Sequence, residues 1–376
     1  MKVLHLINGD LYSGAERVED LLALNLPAFG YHADVATLKR GCFAQCRQAS
    51  GANLFEVTMR SRIDFHAAWK IARLLRAGQF QLLHTHTPRS AMIGGIAARL
   101  AQCPMVHHVH SPTSRDTQTA WRNMTNATVE RWSLTGARRL IAVSDSLRSY
   151  LEQAGFNSAS ISVVPNGVPV HEPGIEWRAP AGPWVVGTVG LFRPRKGIEI
   201  LIEALHLCLQ SGLDVRLLAV GSFEEDSYRQ AMVRLARKLG VADRIEWAGF
   251  KLDVRAELRR MHIFALPSLY GEGLPMALIE AMAAGLPVAA TAVEGTPEVL
   301  TPAGAGLLVE PGNASQLADA IASLAALGPR AREVGDAGRR RQIERYSDAV
   351  MARAVADVYD LVLKPHAGCH AEAIPL

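Results

Sequence analysis

Two glutamates with regular spacing are the first residues in this sequence that could bind a ligand. Glu272 and Glu280 lie in the stretch 268–288, which reads SLYGEGLPMALIEAMAAGLPV. Glu272 stands between Gly271 and Gly273, which predicts a tight loop. Carboxylates accept hydrogen bonds from sugar hydroxyls. The pair therefore indicates a sugar-binding site, although a glutamate near a helix start can also simply complement the helix dipole.

The residues after Glu272 predict a helix. Pro275 fits a first helical turn, residues 276–284 are good helix formers, and Gly285 and Pro287 end the run. Glu280 then lies about one turn inside this helix, so both carboxylates can face one pocket at its N-terminus. The free N–H groups and the dipole at that end favour an anion such as a phosphate. The stretch predicts a ligand that is part phosphate and part sugar.

A cationic loop provides a second candidate phosphate site. Residues 190–197 read GLFRPRKG and contain Arg193, Arg195 and Lys196. They follow a predicted strand at 184–189 and precede a predicted helix at 198–210. Three cations in this position suit a diphosphate.

The start of the chain predicts a similar strand, loop and helix. A buried strand at 3–7 leads into the loop 8–14 and a helix over 15–29. The loop lacks the G-x-G-x-x-G pattern, which excludes the dinucleotide fingerprint. Gly14 is the candidate phosphate-facing residue here, and a simple turn residue is the alternative.

Histidines cluster at the ends of two further strands. His84 and His86 end the strand predicted at 80–85, and we expect them to point to opposite faces. His107, His108 and His110 fall on the strand predicted at 105–109 and just after it. No nearby carboxylate completes a metal-ligand set with convincing spacing, so we predict no metal site.

Strands alternate with helices along the whole chain, which predicts an α/β fold with doubly wound parallel sheets. The pattern runs to about residue 168, is interrupted by a segment rich in proline and glycine, and restarts at Trp184. We predict a first domain over 1–168, a linker over 169–182 and a second domain over 183–346. A last helix at 347–363 is expected to pack back on the first domain, before a flexible tail at 364–376.

The composition fits two ordinary globular domains. The chain has 376 residues, of which 49% are hydrophobic and 20% charged, with a net charge of +4. No apolar run approaches the roughly 18 residues of a membrane span, and the start, MKVLHLING, does not read as a signal peptide. Five cysteines without paired spacing indicate a reducing compartment, so we expect a cytoplasmic protein. No nucleic-acid-binding motif is present.

The stretch 268–288, read with the cationic loop and the N-terminal glycine loop, closely resembles the signature of retaining GT-B glycosyltransferases of family 4, also called group 1. The resemblance implies two Rossmann-like domains that face each other across a cleft. It also implies transfer of a sugar from a nucleotide sugar, UDP- or GDP-linked, to an acceptor hydroxyl. It implies no cofactor and no metal.

The resemblance also assigns roles to individual residues. Glu272 and His110 would contact the donor sugar and count as catalytic, with a structural histidine as the alternative for His110. Donor-binding residues would be Gly14, Arg193, Lys196, Gly273, Leu274, Pro275 and Glu280, with Glu280 on the ribose. The chain departs from the family at Leu191, where relatives carry an arginine, and Arg193 is the candidate substitute.

The acceptor is implied only in outline. Relatives assemble bacterial polysaccharides and cell-envelope glycans, often on lipid-linked saccharides. Basic residues stand beside aromatic ones in two zones, 60–76 and 115–139, which suits peripheral contact with the cytoplasmic face of the inner membrane; a solvated helix face is the alternative. A nucleotide-sugar epimerase of the same fold and a non-catalytic nucleotide-sugar binding subunit are the rival functions.

Overall fold

The computed structural model describes residues 1–61, 64–112, 133–170 and 177–364. These residues form two parallel sheets. The first contains β1 (Lys2–Ile7), β2 (His32–Thr37), β3 (Leu54–Glu56), β4 (Leu82–Thr85), β5 (Met105–Val109), β6 (Arg139–Ala142) and β7 (Ile161–Val163). The second contains β8 (Trp184–Val189), β9 (Val215–Val220), β10 (Ile245–Gly249), β11 (Ile263–Leu266), β12 (Val288–Thr291) and β13 (Gly306–Val309). The predicted GT-B architecture is confirmed.

The strand order places the loops that carry the candidate residues at one edge of each sheet. The orders are β3-β2-β1-β4-β5-β6-β7 and β10-β9-β8-β11-β12-β13. The winding direction therefore reverses between β1 and β4 in the first sheet, and between β8 and β11 in the second. Ligands of open α/β sheets bind at such reversal points, beyond the carboxyl ends of the strands. The loops after β1, β8 and β11 are the glycine loop, the cationic loop and the loop that contains Glu272.

The helices cover the sheets as the alternating pattern predicts. Those with the first sheet are α1 (Gly14–Asn25), α2 (Phe43–Cys46), α3 (Phe65–Ala77), α4 (Pro88–Ala101) and α5 (Asp145–Gln153). Those with the second sheet are α6 (Ile198–Gln210), α7 (Asp226–Lys238), α8 (Val254–Leu258), α9 (Met276–Ala283), α10 (Thr296–Leu300), α11 (Ala314–Ala326) and α12 (Ala331–Arg345). Among the described helices, none has the length and apolar composition needed to cross a bilayer.

The last helix, α13 (Asp348–Leu363), packs on α1 of the first sheet. Tyr359 is fully buried there, and Tyr31 donates a hydrogen bond to Asp360. Where the chain crosses back, Val168 and Ser347 form a parallel bridge, with Asp348 N donating to Val168 O at 3.1 Å. The chain therefore passes between the two sheets twice, at adjacent positions.

Element ends differ from the predictions where caps and prolines act. The helix predicted over 15–29 ends at Asn25 and continues as a 3₁₀ turn over Leu26–Phe29, which contains Pro27. Helix α11 begins at Ala314, because the Asn313 side chain accepts from Gln316 N. Most of the zone 115–139, part of the linker and the tail from 365 lie outside the described residues.

Candidate active site

A cavity of about 600 Å³ lies between the two sheets and is lined by both. It is bordered by every residue that the sequence analysis named as a site candidate: Gly14, His110, Arg193, Lys196, Glu272, Gly273, Leu274, Pro275 and Glu280. Residues from chain positions 14 to 280 thus meet in one place. This volume is in the range of small-molecule sites.

Glu272 is held at the base of the cavity by three neighbours. Its carboxylate forms an ion pair with Lys196, accepts a hydrogen bond from Ser268 Oγ at 2.7 Å, and lies 3.9 Å from Arg195 Nη1. Burial opposes its ionisation, but Lys196 and Arg195 outweigh burial and hold the pKa of Glu272 below its ordinary value. Glu272 is therefore a fixed, ionised acceptor.

The cationic loop divides its side chains between two directions. Arg193, the candidate substitute for the missing arginine at Leu191, ion-pairs with Glu224 at 2.7 Å, although it also lines the cavity. Arg195 instead donates to the Gly271 carbonyl at 2.8 Å. Arg195 therefore belongs to the cavity as closely as Lys196 does. The sequence placed it in the loop but provided no basis for choosing it over Arg193.

The loop before α9 is pressed against the first sheet. A Cβ on Gly273 would lie 2.1 Å from the His110 carbonyl oxygen, so only glycine fits there. Asn166 Nδ2 donates to the Leu274 carbonyl at 2.9 Å. Pro275 caps α9, one position before the predicted first turn. The N-terminus of α9 therefore opens into the cavity beside the end of β5.

Glu280 is paired across the cleft. Its Oε1 accepts from Arg17, which lies in the first turns of α1 at the far side of the cavity. Its Oε2 is buried without a hydrogen-bond partner among the described residues. Sequence reasoning missed Arg17, because an arginine inside a predicted helix has the same pattern as a surface cation.

The histidines form one buried cluster under the cavity. His110 Nε2 lies 3.3 Å from His86 Nδ1, and His86 Nε2 lies 3.1 Å from His5 Nδ1. Tyr359 Oη continues the chain, at 3.0 Å from His5 Nε2 and 2.7 Å from His84 Nδ1. The expectation that His84 and His86 point to opposite faces is wrong: residues two apart on a strand share a face, and these rings lie 4.1 Å apart.

Two groups in this cluster have metal-like spacing. Among the described residues, ring nitrogens of His5, His84 and His86 lie within 4.8 Å of one another, as do those of His86, His108 and His110. Most of these nitrogens already bond one another or Tyr359, and a bound cation would have to break those bonds. The absence of a metal stays a prediction.

Burial keeps the cluster neutral. Burial lowers the pKa of His5, His107 and His110 from 6.5 to about 3. It also lowers the pKa values of His84, His86 and His108 well below 6.5, with neighbouring histidines adding to the effect. His110 therefore faces the cavity as a neutral imidazole at physiological pH.

We predict that the fold loses stability as the pH falls below about 6.5. The unfolded chain then binds protons that the buried histidines cannot, and each contributes a slope of at most about 1.4 kcal/mol per pH unit. Glu19 opposes this trend, because burial raises its pKa and its ionisation favours the unfolded chain at higher pH. The melting temperature should fall between pH 7.5 and 5.5. The His108→Leu variant should show a shallower slope, because it lacks one group that takes up a proton on unfolding. The substitution breaks no hydrogen bond, since the His108 ring nitrogens have no partner among the described residues. An unchanged slope would mean that His108 is not held neutral.

We also predict that Gly273→Ala destabilises the fold by roughly 1–3 kcal/mol, because the added methyl group meets the His110 carbonyl oxygen. Chemical denaturation measures this. Gly182→Ala is the matched control, since nothing lies within 4 Å of its added Cβ. Equal stability of the two variants would show that the loop and β5 are not in contact.

Comparison with known proteins identifies the family. Residues 175–341 match the family described as Glycosyl transferases group 1, and residues 12–172 match the one described as Glycosyltransferase Family 4. The phosphatidyl-myo-inositol mannosyltransferase of Mycobacterium leprae is 30% identical over 309 residues, covering 80% of this chain and 79% of that protein. The enzyme of the same name from Mycobacterium tuberculosis is 31% identical over 304 residues, covering 78% and 77%.

Solved structures agree on the fold. Anabaena Alr3699/HepE in complex with UDP-glucose has a TM-score of 0.84 and 23% identity. The match covers 96% of this chain and 100% of HepE. WaaG, a glycosyltransferase involved in lipopolysaccharide biosynthesis, has a TM-score of 0.74 and 18% identity, covering 95% and 99%. Glycosyltransferases of this group use nucleotide-sugar co-substrates without a separate cofactor. The chain belongs to the group 1, or family 4, glycosyltransferases of the GT-B fold.

Proposed function

We propose that this glycosyltransferase moves a sugar from a UDP- or GDP-sugar to an acceptor hydroxyl with retention of anomeric configuration. The observation that carries the proposal is the meeting of opposite chemistries in one cavity. A cationic loop and the N-terminus of α9 suit a diphosphate, while Glu272 and Glu280 on either side suit sugar hydroxyls.

The barrier to transfer is set by departure of the nucleoside diphosphate from the sugar. Lys196, Arg195, Arg193 and the free N–H groups of α9 stabilise the negative charge that develops on it. Glu272, fixed by Lys196 and Ser268, accepts hydrogen bonds from the sugar hydroxyls. Glu280 accepts from the ribose through its unpartnered Oε2.

The groups near the sugar support same-face attack without a covalent enzyme intermediate. The carboxylates lining the cavity in the described residues are Glu272 and Glu280, and both are ion-paired. Neither is a free nucleophile. In the proposed step the acceptor oxygen bonds to the anomeric carbon on the face that the phosphate leaves, and a phosphate oxygen takes the acceptor proton. His110 positions the sugar and does not donate a proton as an acid, since its pKa of about 3 leaves it neutral.

The cavity residues define the nucleotide base and the acceptor less closely than they define the diphosphate and the sugar. Gly249, Phe250 and Lys251 stand where the base would lie, and the last two line the cavity. Two observations about relatives guide the choice of substrates. HepE was solved with UDP-glucose, and the mycobacterial relatives are named for transfer to a phosphatidyl-inositol lipid. We therefore favour a lipid-linked saccharide acceptor in synthesis of a bacterial polysaccharide or cell-envelope glycan.

We predict that Glu272→Ala and Lys196→Ala abolish sugar transfer, because each removes half of the buried pair at the sugar and the diphosphate. Transfer from UDP- and GDP-sugars is measured by release of the nucleoside diphosphate, with circular dichroism as the check on folding. Lys238→Ala, at the exposed end of α7, is the matched control.

Full activity in both folded variants would rule out this site. A thermal-shift screen with UDP-, GDP- and ADP-sugars identifies the donor. Incubation of that donor without acceptor separates the rival functions, since an epimerase would change the sugar while leaving it on the nucleotide. Tight donor binding without release of diphosphate to any acceptor would indicate a non-catalytic subunit.

Contact with the membrane is part of the proposal for a lipid-linked acceptor. On α3, Phe65 is 70% exposed and Trp69 51% exposed, and Arg73 lies 5.9 Å over the Trp69 ring. Apolar side chains beside cations suit an anionic lipid surface.

We predict that replacing both Phe65 and Trp69 by serine lowers co-sedimentation with phosphatidylglycerol vesicles, because the inserted apolar area is lost. Ile343→Ser is the matched control, since it removes an apolar side chain of similar exposure, 41%, from α12. Equal vesicle binding by all three proteins would place the acceptor lipid elsewhere.

A further inference from the structure

The ion pair between Arg17 and Glu280 joins the two halves of the cleft. Arg17 belongs to α1 on the first sheet and Glu280 to α9 on the second, 263 positions later in the chain. Both line the cavity. The Glu272–Lys196 pair, in contrast, has both members on the second sheet. Glu272 is therefore held by a residue of its own domain, whereas Glu280 is held by a residue of the opposite domain.

This pair occupies the place that the donor needs. In the proposed function Glu280 binds the ribose, whose two adjacent hydroxyls suit the two oxygens of one carboxylate. Oε2 is unpartnered and available, whereas Oε1 is taken by Arg17. A ribose that also hydrogen-bonds Oε1 competes there with the guanidinium and weakens its hold on Glu280. A displaced guanidinium that stays partly buried needs another anion, because an unpaired buried charge is costly.

The donor diphosphate is such an anion, and Arg17 lies close to its proposed position. Side chains on a helix lean toward its N-terminus, so Arg17 reaches back toward Gly14 and the end of α1 that opens on the cavity. Gly14 approaches Met276, the first residue of α9: a Cβ on Gly14 would lie 3.9 Å from Met276 Cγ. Two helix N-termini therefore face each other where the diphosphate is proposed to lie.

The cavity charges lead to the same site. Its described lining contains five cations and two carboxylates, and Arg17 is the one cation among them that comes from the first domain. Lys196 and Arg193 each keep an ion-pair partner from the second domain, Glu272 and Glu224. Once the ribose has displaced it, Arg17 has lost its partner and can turn.

We propose that Arg17 exchanges Glu280 for the donor diphosphate, and so becomes the residue by which the first domain binds the donor. This inference rests on the proposed function. In the free enzyme the ion pair closes the cleft directly. In the complex the donor carries the same link, with Glu280 on the ribose and Arg17 on the phosphates. Donor binding then replaces one contact between the domains by another, so the cleft stays closed over the bound donor.

The test compares a nucleoside diphosphate with its nucleoside. Binding of UDP and uridine, and of GDP and guanosine, is measured by isothermal titration calorimetry for the wild type and for Arg17→Gln. The variant should bind the diphosphate about 10- to 100-fold more weakly, the usual effect of losing one hydrogen bond to a charged group. It should bind the nucleoside as well as or better than the wild type, because Glu280 is released. Arg17→Lys should retain part of the diphosphate affinity.

The controls separate this inference from the proposed function. Arg40→Gln, an 80% exposed arginine of the first domain outside the cavity, should bind both ligands as the wild type does. Glu280→Gln should weaken nucleoside binding without lowering the preference for diphosphate, which gives a second reading if Arg17→Gln folds poorly. Unchanged diphosphate binding in Arg17→Gln, or an equal loss for both ligands, would overturn the exchange alone. A wild type that binds neither diphosphate would overturn the proposed function and this inference with it.

Discussion

Neutralisation of buried charge is the constraint on which this cleft depends. In the proposed function two carboxylates, Glu272 and Glu280, accept hydrogen bonds from sugar hydroxyls, and both residues are buried. An unpaired carboxylate there would take up a proton. Burial favours the protonated form of Glu272, but Lys196 and Arg195 outweigh it and hold the pKa of Glu272 below its ordinary value. Glu280 forms an ion pair with Arg17. The described lining contains three further cations, Arg193, Arg195 and Lys251, and the resulting excess of positive charge suits the proposed diphosphate.

The chain could predict most of this arrangement because local signals and fold rules agreed. The strands are short apolar runs, helices such as α3, α5 and α11 begin at side-chain caps, and parallel strands bring their carboxyl ends to one edge. The loops after β1, β8 and β11 could thus be assigned to one site from the sequence. Gly271 and Gly273 predicted a tight loop, and the structure shows in addition that Gly273 lies against the His110 backbone.

What the sequence could not predict depends on side-chain partners from distant segments. The choice between Arg193 and Arg195 depends on Glu224 and Gly271, which no local pattern connects to either arginine. Arg17 can be recognised as a site residue only from its contact with Glu280 of α9, 263 positions later in the chain. The histidine cluster has a similar origin, since His5 and Tyr359 join it from opposite ends of the chain, 354 positions apart. Spacing within one strand could not show such a network, and the wrong expectation that His84 and His86 point to opposite faces concealed it further.

The double crossing of the chain between its two sheets has a mechanical consequence. The segment through Val168 and the segment through Ser347 lie side by side and hydrogen-bond to each other. Two adjacent crossing segments permit a hinge rotation of the domains about the line through both segments. They resist twisting and sliding of one domain relative to the other. Any rotation of the domains about this line would thus bring the same cavity-lining surfaces back into alignment. With a single crossing segment, the alignment of the two domains would depend on contacts with the bound substrate.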